Sequence, residues 1–349
     1  MINRKYYLDA GRGIAILFVI TAHVSGNITD LDKITSYIHG YGATGVQIFF
    51  FISGISLCLS FDNRKEKISF FYLRRFLRVY PLYWFGIFIY TFLFNDINIF
   101  PDFTNKEVIT NFLLIHNLIG NLGIVPGGWT ISTEIIFYLF FPLIYLWMKK
   151  HKMIFFISFI LTVVLVYYIL NILVWKFELI NVSFLRIYHW TFIQWIVFAI
   201  GMFFFIKKIE LKNFKLIFLL MSSFFIISLV AFEEIYRFKL LIFYPTKLIL
   251  ISLFTIFLIL FLKILIKNNN FLTFIGRYSY SLYITHSLGI FITSNLLNKL
   301  NYDYNGIFGF ITFFSFTLII SIFFSVFTYN LVEKNGIRLG NFIIKKLNE

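Results

Sequence analysis

The sequence predicts an all-α polytopic membrane protein, built as a bundle of about ten transmembrane helices. The first observation is composition, because 60% of the 349 residues are hydrophobic and only 13% are charged. A soluble domain cannot hide that much apolar surface. The second observation is the length of the apolar stretches, since a span needs ~20 mostly apolar residues. The third is the distribution of basic residues between those stretches.

Ten stretches have the required length. They are residues 10–28, 41–60, 79–95, 129–148, 153–173, 190–206, 214–232, 243–266, 278–297 and 306–330. No repeat, linker or soluble domain interrupts them, so we predict one membrane domain over residues 1–349. Its core is expected at about 7–333, with a short basic tail at 334–349. No fused extracytoplasmic domain is expected.

Loop charge predicts the orientation. With the N-terminus in the cytoplasm, most of the 31 lysines and arginines fall in cytoplasmic segments, as the positive-inside rule requires. Both termini are therefore predicted to be cytoplasmic. The net charge of +15 follows from this topology, so no nucleic-acid partner is expected.

The single cysteine, Cys58, excludes an intramolecular disulfide and is predicted to be buried; no metal site is expected.

Two ionisable residues stand in the first span, "YLDAGRGIAILFVITAH", residues 7–23. Charges inside a span are costly and usually mark function. At 100° per residue, Arg12 and His23 lie on one helix face, ~16 Å apart along the axis. Asp9 is predicted to hold the Arg12 guanidinium on that face. The alternative is that Arg12 reaches the membrane edge and His23 is a hydrogen-bonded packing residue.

Three arginines precede the third span in "FFYLRRFLRVYPLYW", residues 70–84. Arg75 and Arg78 share a helix face, and guanidinium groups bind phosphate through two hydrogen bonds at once. Together with Arg74, they are candidates for a phosphate-binding site. The positive-inside rule alone also accounts for arginines at this position.

An acidic residue, Glu134, is expected near the outer end of the fourth span, with Tyr138 one turn later. Its carboxylate could orient a histidine or bind a sugar hydroxyl, or be held by backbone and water alone. His286, in the ninth span, either lines an acceptor cavity or packs. The other histidines lie in loops or near span ends without ligand spacing: His39, His116, His151 and His189.

These features place phosphate-binding chemistry on one side of the membrane and a base in the membrane interior. An extended donor could bind its phosphates to the arginines and extend its reactive end toward His23. Coenzyme A has this shape, with phosphates at one end and a thioester on a long thin arm.

Six segments, in this order, resemble motifs of the integral membrane acyltransferase family 3. They are "LDAGRGIAILFVITAH", "GVQIFFFISGISL", "RFLR", "WTISTEIIFYLFFPL", "IGRYSYSLYITH" and "YNLVEKNGIRLG". The resemblance covers most of the chain. It implies about ten spans, a cytoplasmic acyl-CoA donor, usually acetyl-CoA, and an acceptor hydroxyl on a cell-surface glycan. It also implies that Arg12 and His23 form a catalytic pair and that Arg75 and Arg78 bind the donor.

The predicted function is therefore O-acetyl transfer from acetyl-CoA to a polysaccharide or a lipid-linked repeat unit, such as O-antigen of lipopolysaccharide, capsule or exopolysaccharide. The predicted catalytic residues are His23, Arg12 and Glu134, and the donor-binding residues are Arg75, Arg78 and Arg74. No permanently bound cofactor is expected, and the expected partners are acetyl-CoA, the glycan, the bilayer and glycan-assembly proteins. A polysaccharide exporter or a non-enzymatic membrane component of glycan assembly are the alternatives. A small-molecule acceptor also remains open.

Overall fold

The computed structural model describes residues 5–28, 39–64, 67–94, 103–121, 123–177, 191–238, 244–302 and 304–349. Throughout these residues the ordered elements are helices, without a β-strand. The predicted all-α class is therefore confirmed. Cys58 is buried, as predicted.

Twelve α-helices follow one another in the described part of the chain. They are α1 (Tyr6–Ser25), α2 (Gly45–Arg64), α3 (Ile68–Phe94), α4 (Asn105–Phe112), α5 (Gly128–Phe177), α6 (Thr191–Lys207), α7 (Phe214–Phe238), α8 (Tyr244–Leu265), α9 (Phe271–Arg277), α10 (Ser279–Lys299), α11 (Gly306–Thr328) and α12 (Lys334–Asn348). A π-helical turn, Tyr329–Glu333, joins α11 to α12.

Each of the ten predicted stretches overlaps a helix, and two of them fall in the same helix, α5. Five helical segments are long and apolar enough to cross a membrane: Tyr6–Ser25, His39–Arg64, Gly128–Ile169, Tyr244–Leu265 and Gly306–Asn348. The chain is thus built as a multi-pass membrane protein, while the count of ten spans and the cytoplasmic termini stay predictions. Three predicted boundaries, at 95, 190 and 243, and the loop histidine His189 lie outside the described residues.

The long helix α5 contains two of the predicted spans. Lys152 interrupts it with a non-helical backbone (φ 47°, ψ −113°), so that α5 is two helical stretches joined at a kink. A non-glycine residue rarely adopts positive φ. The break falls between predicted spans 129–148 and 153–173, within the basic segment that separates them.

Helix α3 begins at Ile68, well before the predicted start of its span at residue 79. The hydropathy pattern missed this extension because arginines interrupt its apolar character, although arginine is a good helix former. Consequently Arg74, Arg75 and Arg78 are helical residues. Pro81 lies in the interior of α3 and leaves the carbonyl of Leu77 without its helical N–H donor.

Helix α12 covers that carbonyl. A Cβ added to Gly336 would lie 2.2 Å from the Leu77 oxygen, so only glycine lets the two backbones approach this closely. Asn341 of α12 also accepts a hydrogen bond from Arg74. The segment predicted as a basic tail is therefore a helix that packs on the arginine-bearing end of α3.

Helix α1 is central and packs against α2, α8, α9, α10 and α11. Its contact with α9 depends on glycine, because a Cβ on Gly276 would lie only 1.7 Å from the backbone oxygen of Asp9. This approach fixes the turn of α1 that carries Asp9 and Arg12.

Replacing Gly276 by alanine is expected to separate α9 from α1 and to destabilise the fold by about 1–3 kcal/mol, the usual cost of overpacking. Thermal unfolding in detergent would measure this. The matched control is Gly340→Ala, because a Cβ there meets Leu77 at an ordinary 3.4 Å. Equal unfolding temperatures for the two variants would show that α9 accommodates the methyl group.

Candidate functional site

A cavity of about 320 Å³ lies between helices α1, α2, α3, α5 and α10. Its wall contains more basic than acidic side chains: Lys5, Arg12, Arg64, Arg75 and Arg78 against Asp9 and Glu134. Hydroxyl groups complete the polar lining, from Ser53, Ser56, Ser60, Thr130, Tyr138, Ser279, Tyr280 and Tyr283. A concave site with converging polar groups is the usual form of a small-molecule site.

Arg12 is held at this wall by two neighbours. Its Nη1 donates to Asp9 Oδ1 at 2.9 Å, and its Nη2 donates to Ser56 Oγ of α2 at 2.6 Å. The predicted bond to Asp9 is confirmed. The side chain of Arg12 is 20% exposed, and the side chain of Asp9 is 13% exposed. Because the guanidinium is fixed on two sides, it presents a preorganised positive charge to the cavity.

Arg75 and Glu134 face the same cavity from α3 and α5. The Arg75 guanidinium lies 5.5 Å from the ring centres of both Phe71 and Tyr138, a distance at which cations and aromatic faces attract. Glu134 Oε1 accepts hydrogen bonds from Ser53 Oγ at 2.6 Å and from the Tyr138 hydroxyl at 2.5 Å. Tyr138 therefore connects the arginine with the carboxylate.

One donor of this cluster, Arg75 Nε, lacks a partner in the part of the chain that the structure describes. Arg75 Nε is buried and makes no hydrogen bond to any described residue. A buried donor without an acceptor costs ~1–3 kcal/mol, so an anionic ligand in the cavity would recover that energy.

The structure separates the three arginines of α3. Arg75 and Arg78 line the cavity, as their shared helix face predicted. Arg74 is not among the lining residues and instead donates to Asn341 of α12. On adjacent positions of a helix, side chains point about 100° apart, so Arg74 cannot share the face of Arg75.

His23 is at the other end of α1 and does not line the cavity. The residue is exposed, and its ring contacts His286 of α10 edge to face, with ring centres 4.8 Å apart and planes at 77°. Glu134 does not reach it: that carboxylate is bonded beside the arginines, so this structure does not provide the expected orientation of His23 by Glu134.

His286 and Tyr283 lie between the cavity and His23. Tyr283 lines the cavity, and its ring centre is 5.6 Å from that of His286. The Tyr283 hydroxyl accepts from Thr130 Oγ1 at 2.8 Å and lies 3.0 Å from the Gly127 carbonyl, to which it donates. Sequence reasoning left the role of His286 open, interpreted Tyr283 as a core or interface aromatic, and assigned no role to Ser53 or Ser56, because these contacts join helices that are distant in the sequence.

A loop region that includes the short helix α4, residues 103–121 and 123–127, packs against α3. His116 is fully buried there and stacks on Tyr83, with ring centres 6.2 Å apart. Asn111 Oδ1 accepts from the Tyr83 hydroxyl at 3.2 Å and from the backbone N–H of Ile124 at 2.9 Å. Burial lowers the pKa of His116 to about 4, so its ring is neutral in the folded protein at neutral pH.

This burial predicts an acid-labile loop region. In the unfolded chain, His116 regains a pKa of ~6.5 and binds a proton that the folded protein excludes. Stability is therefore complete above about pH 6.5 and falls as the pH decreases toward 4, by roughly 3 kcal/mol at the acid end. Unfolding temperatures at pH 7.5 and pH 5 should show a smaller drop for His116→Gln than for wild type. Equal drops in unfolding temperature for the two proteins would exclude protonation of His116 as the cause.

Comparison with known proteins identifies the family. The model of acyltransferase family 3, described as an acyltransferase domain, matches residues 5–329, which include the cavity and both histidines. The chain belongs to this family. The π-helical turn begins at Tyr329, the last matched residue, and α12 lies beyond the matched region.

A curated relative supports the assignment. The chain is 30% identical over 155 residues to a protein named acyltransferase MdmB, from Streptomyces mycarofaciens. That match covers 40% of this chain and 38% of the relative, well under half of its length. No solved structure shows a significant match to this acyltransferase-family chain.

Proposed function

We propose that the protein is an O-acetyltransferase of a bacterial inner membrane. It takes an acetyl group from cytoplasmic acetyl-CoA and transfers it to a sugar hydroxyl of a cell-surface polysaccharide or lipid-linked repeat unit. Family membership supports acyl transfer in general. The observation that carries the choice of donor is the cavity in which Arg12, Arg75 and Arg78 converge.

The chemistry of this cavity suits the phosphates of coenzyme A. Guanidinium groups bind phosphate oxygens through charge-assisted hydrogen bonds, and Arg75 Nε is a buried donor for which the described residues provide no acceptor. The cavity volume of about 320 Å³ is at the lower end of the range for small-molecule sites. It therefore accepts part of the donor, and the remainder stays at its mouth.

Arg12 and Glu134 contribute to the same site. Arg12 is fixed by Asp9 and Ser56, so it can direct the anionic donor into the bundle without first losing side-chain freedom. Glu134 is bonded to Ser53 and Tyr138. It holds Tyr138 against Arg75, so we assign it to the arrangement of the donor site and not to the activation of His23.

His23 acts as a general base in this proposal. A neutral imidazole nitrogen removes the proton from the acceptor hydroxyl while the hydroxyl oxygen attacks the acetyl carbon. The carbon–sulfur bond of the thioester breaks, the ester carbon–oxygen bond forms, and the proton passes from His23 to the departing thiolate. The products are the acetylated sugar and coenzyme A. An acyl-histidine intermediate would require a second covalent step, so direct transfer is preferred.

The test compares surface glycan from cells with and without the gene. An O-acetyltransferase predicts normal amounts of glycan that lack base-labile acetyl esters when the gene is deleted, as measured by mass spectrometry before and after mild alkali. Loss of the glycan itself from the surface would support the exporter instead. Glycan unchanged in both amount and acetyl content would contradict the proposed acceptor class.

A further inference from the structure

We propose that His286 is a positioning residue for His23. This inference rests on the proposed function and adds to the site a residue that acts through the base. The orientation of His23 matters because its nitrogen must lie within hydrogen-bond reach of the acceptor hydroxyl. A misplacement of 1 Å can cost about 100-fold in rate.

The His23 ring depends on packing for its orientation. The residue is exposed, and the hydrogen bond recorded for it goes to its backbone carbonyl, from Asn27 Nδ2. The ring contact that the structure records is the edge-to-face packing on His286, at 4.8 Å and 77°. Aromatic pairs in this geometry are attractive by ~0.5–1.5 kcal/mol beyond simple burial, enough to favour one ring orientation.

His286 is itself held firmly. It is fully buried, and its Nδ1 lies 2.7 Å from the backbone carbonyl of Tyr283. Since a carbonyl only accepts, Nδ1 must carry the proton and donate it. The hydrogen bond fixes both the tautomer and the plane of the ring. In the neutral form, Nε2 then carries the lone pair, and Ser287 Oγ lies 3.4 Å from it.

This arrangement joins the base to the donor cavity. The Tyr283 backbone accepts from His286, while the Tyr283 side chain lines the cavity and is bonded to Thr130 and Gly127. The chain of contacts therefore runs from the cavity wall through Tyr283 and His286 to His23. It gives the base a fixed position relative to the donor without any direct contact between His23 and the cavity.

The experiment compares His286→Leu with His286→Phe in membranes supplied with labelled acetyl-CoA. Leucine removes the ring, whereas phenylalanine keeps a ring that can pack edge to face on His23. We expect His286→Leu to lower kcat at least about tenfold with the KM for acetyl-CoA changed less than about twofold. His286→Phe should recover a clear part of the lost kcat. Abundance and unfolding temperature of both variants are measured alongside.

A second readout does not depend on activity. Diethyl pyrocarbonate modifies exposed neutral histidines, and mass spectrometry follows its addition to His23. We expect faster modification in His286→Leu than in wild type, with His286→Phe in between. Wild-type kcat and an unchanged modification rate in the leucine variant would overturn the inference. An equal loss of kcat in His286→Leu and His286→Phe, together with a raised KM for acetyl-CoA, would also overturn it. Absence of acetyl transfer by wild type would instead overturn the proposed function, and the modification rates would still test the contact.

Discussion

Replacing Arg75 by alanine is expected to weaken acetyl-CoA binding by about 10- to 100-fold, since hydrogen bonds to charged groups contribute ~1.5–3 kcal/mol. Arg75 lines the cavity, packs between Phe71 and Tyr138, and has a buried Nε without an acceptor among the described residues. Its loss removes a donor that is already in place before the ligand arrives. Equilibrium binding of acetyl-CoA to the purified protein in detergent would measure the effect.

Two other arginines provide comparisons for this measurement. Arg74→Ala should have a much smaller effect, because Arg74 is bonded to Asn341 and lies outside the cavity. Arg338→Ala, on the exposed side of α12, should leave the affinity unchanged. Similar losses for Arg74→Ala and Arg75→Ala would indicate a general electrostatic attraction and would contradict a specific phosphate site. Arg75→Lys should recover little, since lysine lacks the planar fork.

Replacing His23 by alanine is expected to lower the rate of acetyl transfer by about 10²- to 10⁴-fold, the usual contribution of a general base. Binding of acetyl-CoA should be unaffected, because His23 does not line the arginine cavity. This combination separates His23 from Arg75, whose loss should act on binding first. Single-turnover rates at saturating acetyl-CoA, together with the binding constant, would resolve the two effects.

An exposed histidine away from the site is the control for His23. His151, which lies beside the kink of α5 and contacts Trp147, should tolerate alanine with wild-type transfer. If His23→Ala retained the wild-type rate at normal abundance, His23 would be a packing residue. An acyl group bound covalently to His23 in trapped wild-type enzyme would instead favour the two-step route.

Local patterns predicted much of this site. The bond between Asp9 and Arg12 follows from their spacing on one helix,, and the shared face of Arg75 and Arg78 follows from helical periodicity. The break at Lys152 was also predictable, because basic residues separate the two apolar stretches that it joins. In each case, the information lies within a few residues of the chain.

Other features depend on how distant helices pack, which no local pattern contains. Ser53 meets Glu134 across α2 and α5, and His286 meets His23 across α1 and α10. Placement of Glu134 beside Arg75 and away from His23 is of this kind. Arg74 is a different case. It has the same basic sequence context as Arg75, but it lies one helical position earlier and therefore points toward α12 and not into the cavity.

Acetyl transfer that depends on His23 is tested most directly by following label from radiolabelled acetyl-CoA into glycan in isolated membranes, for wild type and for His23→Ala at equal abundance. We expect label in the glycan with wild type and almost none with the variant. Equal labelling by both proteins would contradict the role of His23. Absence of label with both proteins would contradict acetyl transfer to glycan itself.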